Sequence, residues 1–267
     1  MADLIQEIGR VTPATLSHLL LSADMVSDTS HRLVLIEPSP ISRYVPQRRV
    51  VTSHVFSLFW DRHIYNQARE MARFYDLFSN PSFASGTIVS EMIFGVRIHQ
   101  LLKKGRHLIL TPIRGRLADG DVVYDDYRTT IMPSNRHVQL GPLAEVPLTD
   151  GITLNPGYYY HPQIPNFPTI DSLILYPPVD GKPPVLVIFQ ITCTAEERAV
   201  KEVGLEKINQ LVIPKNAEKF LVIVTPEDVK PKITVPRTYL TDAFLANRTP
   251  DTAFPVFHLQ VTRGALF

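Results

Sequence analysis

Two short apolar runs each carry polar groups of the kind that can hold a hard cation. The first is Ile170-Asp171-Ser172-Leu173-Ile174-Leu175, and the second is Val185-Leu186-Val187-Ile188-Phe189-Gln190-Ile191-Thr192. A proline-rich turn lies between them. Read as a hairpin, the pair sets the Asp171 acid beside the Gln190 amide, with the Ile191 carbonyl following. Carboxylate, amide and carbonyl oxygens are the ligand types that hard divalent ions such as Mg²⁺ prefer.

A third acid belongs to the elements that must position this pair. From Gly86 to Lys104 the apolar residues Ile88, Phe94, Ile98 and Leu102 recur at helical spacing, and Gly105 supplies a C′ stop. At about 100° per residue, Glu91, Gly95, Ile98 and Leu102 fall in one narrow sector. Glu91 is therefore expected on the packed face, where a carboxylate needs a partner because burying an unpaired charge is costly. Further on, Thr194-Ala195-Glu196-Glu197 has the form of a capping box, so a helix is expected from there to about residue 212. That helix would carry Arg198 and Lys201. Strands are expected at 107–113, 170–176, 185–192 and 219–225, giving the order helix, strand, insertion, strand, strand, helix, strand from Gly86 onward.

Nucleases of the PD-(D/E)XK superfamily use this order, with an acid on the first helix, an aspartate on one strand and Glu-or-Gln, x, Lys on the next. Their chemistry is metal-ion catalysis, in which oxygen ligands hold Mg²⁺ and a lysine faces the phosphate. Here the corresponding residues are Glu91, Asp171 and Gln190. Thr192 stands at the lysine position, and Lys201 is the candidate replacement. Each residue also has a structural reading: Asp171 as a turn acid at a strand start, Gln190 as an amide satisfying an edge carbonyl, and Glu91 as a partner of Arg97 or Lys201.

The surrounding sequence resembles the C-terminal, restriction-endonuclease-like module of Crinkler effectors and the related retrotransposon hot spot proteins. The segments that carry the resemblance are Ser85-Gly86, His99-Gln100-Leu101-Leu102-Lys103-Lys104-Gly105, Asn166 to Leu173, Leu186 to Thr192, and Lys201 to Leu205. They cover about 81–225, and more loosely 30–80. The chain departs from the family pattern at Gly95, where the helix acid commonly stands, and near Arg198, where a histidine is expected. It also contains no Gly-x-x-x-x-Gly-Lys-[Ser/Thr] segment, so the ATPase found beside this module in many relatives is missing.

The resemblance implies an α/β restriction-endonuclease-like core with a mixed central sheet flanked by helices, spanning 81–267 with an insertion at about 114–168. A small helical and extended section at 1–80 precedes it, with a strand at 31–36 and helices within 53–78. The implied activity is Mg²⁺-dependent cleavage of DNA, with Mn²⁺ as a substitute ion. Asp171, Gln190, Ile191 and Glu91 would serve the metal, and Lys201 the scissile phosphate. The alternative is a catalytically degenerate relative that binds nucleic acid or a protein partner without cutting. DNA is the first expected partner and RNA the second, with a homodimer left open. The expected location is intracellular, including a host nucleus for an effector.

Bulk properties restrict rather than select. The 267 residues are 45% hydrophobic, enough for one good core or two modest ones. The net charge of +1 lacks the strong basic excess of dedicated nucleic-acid binders, so any such contact rests on local groups such as Lys103, Lys104, Arg198 and Tyr160. No window has the length of apolar sequence that a membrane helix needs, and the start lacks a basic segment followed by an apolar run. A single cysteine, Cys193, forms no internal disulfide, and the nine histidines show no spacing typical of zinc ligation. The 23 prolines against 12 glycines predict stiff, extended connections.

Overall fold

A computed structural model describes residues 34–38, 46–50, 72, 75–76, 79, 86–118, 121–126, 136–162, 170–178, 181–195, 198–236 and 256–267. The chain divides into two compact units, residues 1–94 with Phe267, and residues 95–266. In the first unit, β1 (Val34–Pro38) and β2 (Pro46–Val50) pair antiparallel, from Val34 opposite Val50 to Pro38 opposite Pro46. Tyr75 stacks on Phe94 at 6.4 Å between ring centroids and tilts against Phe267 at 5.6 Å. The helices expected over 53–78 lie almost wholly outside the described residues.

Helix α1 (Gly86–Lys104) has the predicted bounds. Its buried residues are Ser90, Ile93, Phe94, Ile98, Leu101 and Leu102, and Glu91 is half-buried on the flank of that stripe. Gly105 ends the helix at φ 76°, a left-handed conformation that glycine adopts without strain. A side chain there would run into the Gly141 carbonyl. The exit is tied down further by hydrogen bonds from Leu140 N–H to the Arg106 carbonyl and from Leu143 N–H to the Lys103 carbonyl, both 2.9 Å.

The second unit is α/β and is dominated by one large, curled, mixed sheet. The strands are β3 (His107–Ala118), β4 (Asp121–Asp126), β5 (Arg136–Gln139), β6 (Ala144–Leu148), β7 (Tyr158–Pro162), β8 (Ser172–Tyr176), β9 (Val185–Ile191), β10 (Arg198–Ala199), β11 (Glu218–Pro226), β12 (Ile233–Val235) and β13 (Val256–Val261). Their order is β10-β12-β4-β3-β13-β11-β9-β8-β7-β6, and β5 pairs with β3 beside this path. The region 114–168, expected only as an insertion, thus supplies β4 to β7 and part of β3. Its strands escape the periodicity because they are short and half-polar, and they form only by pairing with distant partners.

Within the sheet, β8 runs antiparallel to both β7 and β9, and β9 is parallel to β11 across helix α2 (Glu202–Gln210). Strand β11 is in turn parallel to β13. Leu173, Leu175, Leu186, Ile188, Leu221, Ile223 and Val256 share one face and form a continuous core with Leu205 and Ile208 of α2. Tyr124 of β4 and Ile233 and Val235 of β12 join that same core, which is how the first strands of the path close over it. Helix α3 (Arg263–Leu266) ends the chain, and its Leu266 carbonyl accepts a 2.8 Å hydrogen bond from Arg97 Nε.

The capping box at Thr194–Glu197 does not begin α2. Arg198 and Ala199 are extended and pair in parallel with Ile233 and Thr234, and Val200 N–H donates to the Thr234 carbonyl at 2.8 Å. Those backbone groups are committed to a strand, so the helix starts only at Glu202. Lys201 is its N-cap, at φ −81° and ψ 135°, with no side-chain capping bond. A weak local preference yields here to pairing with a segment more than thirty residues away in the chain.

Candidate functional site

The hairpin predicted from the two apolar runs forms, with Ser172 opposite Phe189 and Tyr176 opposite Val185. Asp171 immediately precedes β8, so it meets the end of β9. Its N–H donates to the Phe189 carbonyl at 3.0 Å, and its Oδ2 accepts the Ile191 N–H at 2.6 Å. The carboxylate is thereby folded onto the last residues of β9, beside Gln190. Asp171 and Gln190 thus stand at neighbouring positions of the hairpin.

Gln190 continues the inward row of Leu186 and Ile188 and is 8% exposed. Its Oε1 has no hydrogen-bond partner among the described residues. Buried side-chain oxygens are nearly always satisfied, and each exception calls for an explanation such as a bound water or ion. The strand ends around it are well ordered by bonding. Thr192 N–H donates to the Val224 carbonyl at 3.0 Å, and Thr194 N–H donates to Thr192 Oγ1 at 3.2 Å. Thr192, which stands at the lysine position, is buried at 3% exposure and closes a turn.

The remaining sequence candidates are distributed. Lys201 is exposed at the N-cap of α2 instead of lying within a helix, next to Val200 of the core. Glu91 belongs to the first compact unit, whereas Asp171, Gln190, Ile191 and Lys201 belong to the second. Lys103 Nζ binds Glu145 Oε2 at 2.6 Å, and Lys104 is exposed. Arg198 lies in β10, and its side chain is outside the described residues. Tyr160 is 2% exposed, and its hydroxyl accepts the Asn155 N–H at 2.7 Å, so its ring is a core element and offers no face for base stacking. No group of three or more His, Cys, Asp or Glu among the described residues is arranged to hold a metal.

A second polar cluster escaped the sequence reading. His99 and Lys103 stand four apart on α1, and Tyr159 and His161 stand two apart on β7, so each pair shares a face. His99 Nδ1 hydrogen-bonds the Tyr159 hydroxyl. The His99 and His161 rings meet edge-on at 4.4 Å between centroids, and His161 Nδ1 lies 3.9 Å from Glu145 Oε1. Burial, followed by His161 and Lys103, lowers the His99 pKa to about 3. Burial also raises Tyr159 and lowers His161, the latter against the pull of Glu145. These groups are therefore held neutral around one ion pair. The helical and strand spacings could have revealed each pair, but which strand faces α1 is a tertiary fact.

A third polar pair, His258 and Thr225, is fully buried on adjacent strands, with 2.7 Å between Nε2 and Oγ1. Thr225 Oγ1 also lies within bonding distance of the Pro226 and Val229 carbonyls. Burial, then Lys230, lowers the His258 pKa to about 4. No helix of the described residues is long and apolar enough to cross a membrane. No protein-family model, curated protein or solved structure matches the chain.

Proposed function

We propose that the chain is a nuclease-like domain of the restriction-endonuclease-like kind, acting on DNA by metal-dependent phosphodiester hydrolysis. The observation that carries this reading is the unsatisfied, buried Gln190 Oε1 on the residue before Ile191, whose N–H is held by the Asp171 carboxylate. An amide oxygen and a carboxylate, with the Ile191 carbonyl next in sequence, are donors suited to Mg²⁺ or Mn²⁺. The order of α1, the β8–β9 hairpin, α2 and parallel β11 supports the same reading, with β3 to β7 standing between α1 and the hairpin and β10 between β9 and α2.

When bound, the metal would supply Lewis-acid polarisation of a phosphoryl oxygen. The residues of this chain would do the rest. Asp171 would be held in place by the Ile191 N–H at the end of β9. Gln190 contributes one neutral oxygen from the core side. Lys201, exposed at the start of α2, is the cation assigned to the scissile phosphate, and Glu91 is assigned a further acidic contact. An effector role with a nuclear destination follows from the family resemblance.

A second reading has an observation of its own. Among the described residues the hairpin end holds one carboxylate, Asp171, and Thr192 is engaged in a turn where a lysine would stand. Low ligand charge weakens cation binding, so the chain would then be a degenerate relative that binds nucleic acid or a protein without cutting it. Cleavage of plasmid, single-stranded DNA and RNA with Mg²⁺ or Mn²⁺, beside Asp171→Ala, Lys201→Ala and an EDTA control, separates the two. Metal-dependent cleavage lost in both variants supports the nuclease. Salt-sensitive DNA retention without cleavage supports the degenerate binder, and neither result in any arm overturns both as nucleic-acid readings.

A further inference from the structure

The cluster between α1 and β7 is built from groups that balance one another while both imidazoles are neutral. Lys103 and Glu145 form one ion pair, with side chains 24% and 47% exposed. The imidazoles of His99 and His161 lie against each other, with His161 also facing Glu145. Tyr159 of β7 caps His99 from the interior, and Asp171, just before β8, is near enough to act on that hydroxyl. The groups facing the two imidazoles are thus Lys103 from α1, Glu145 from β6 and Tyr159 from β7, with Asp171 beyond the hydroxyl. Among the described residues, Glu145 is the carboxylate paired with an imidazole.

We propose that this cluster is an acid-sensitive latch. Proton uptake by the two imidazoles places three cations around Glu145 and releases the Gly95–Lys104 half of α1 from β6 and β7. The His99 bond to Tyr159 is lost in the same step if the hydroxyl is its donor, because a protonated imidazole has no acceptor nitrogen. Like charges in contact, with their ring surfaces drawn out of water, can both be accommodated only when the rings separate. The lowered values of both histidines agree in direction. His161, 38% exposed, is the point of proton entry, and the less accessible His99 is the group whose charging opens the contact. The inference does not depend on any catalytic activity of the chain.

The test is hydrogen–deuterium exchange of the full chain at pH 7.5 and pH 5.0, corrected for the intrinsic pH dependence of exchange and read over residues 95–104. If the open state has an ordinary histidine, the opening constant rises by about 30-fold across this interval from His99 alone, with a further rise from His161. His99→Phe is expected to remove that share of the rise, and His258→Gln to leave it intact in this segment. Lys103→Gln removes one cation without touching the rings, and is expected to move the opening to lower pH. An unchanged rise in Lys103→Gln together with a retained rise in His99→Phe overturns the latch, as does a rise in the wild type that is equal throughout the second unit.

Discussion

The end of the β8–β9 hairpin and the α1–β7 cluster are opposite solutions to placing polar groups inside a fold. The hairpin end has few charges and leaves two buried oxygens, Ser172 Oγ and Gln190 Oε1, without a hydrogen-bond partner among the described residues. The α1–β7 cluster has five titratable groups and joins them to one another. Judged by residue types alone, the histidine-rich cluster looks the more chemical of the two. Its groups satisfy and neutralise one another, which leaves little affinity for a ligand. An unmet amide acceptor on the residue next to the carboxylate's own partner is the stronger sign of something to be bound.

The sharpest way to break the α1 side of this comparison is Gly105→Ala. A left-handed φ of 76° and a backbone collision with Gly141 combine there, so a loss of about 3 kcal/mol or more is expected, measured by denaturant unfolding. Acid comes next. His99 and His258 have folded values of about 3 and about 4, below the ordinary 6.5, so the unfolded chain binds more protons than the folded one between those limits. Their contribution is complete above pH 6.5 and is lost as pH falls. By pH 4.5 each is expected to cost about 2–3 kcal/mol, seen as a declining melting temperature that His258→Gln and His99→Phe reduce separately.

On the hairpin side, Asp171→Ala removes the acceptor of the Ile191 N–H and is expected to cost about 1–3 kcal/mol, besides abolishing any metal-dependent cleavage. Gln190→Leu acts in the other direction. Replacing an unsatisfied buried amide by an apolar group of similar size is expected to be neutral or stabilising by up to about 1 kcal/mol in metal-free solution. A large destabilisation instead would mean that the amide has a structural partner, and the contrast with the α1–β7 cluster would fail. The smallest effect is expected for Glu145→Gln at neutral pH, below about 1 kcal/mol, because its pair with Lys103 is partly exposed.

These residues also divide what could be read in advance from what could not. The bounds of α1 were legible because its apolar spacing and Gly105 agree. The β8–β9 hairpin was legible because continuous apolar runs mark buried strands, and it brought Asp171 to Gln190 as expected. The helix expected from Thr194 was not found there, since residues 198–200 pair with β12 and a capping signal of a kilocalorie or so cannot compete with a paired strand. Lys201 consequently became an exposed N-cap. Tyr160 entered the core because strand alternation on β7 turns it to the α2 side, with its hydroxyl met by Asn155.

The amino-acid sequence by itself determined the α/β character, the long first helix with its stop, and the two strands that join an acid to an amide. These depend on periodicity, turn residues and local backbone preference, all of which act over a few residues. Only the tertiary structure decided the curled ten-strand path with β5 beside it, the start of α2, the orphaned oxygen of Gln190 and the meeting of His99 with His161. Each of those depends on which distant backbone and side-chain groups are left to satisfy one another, and a local pattern does not carry that information.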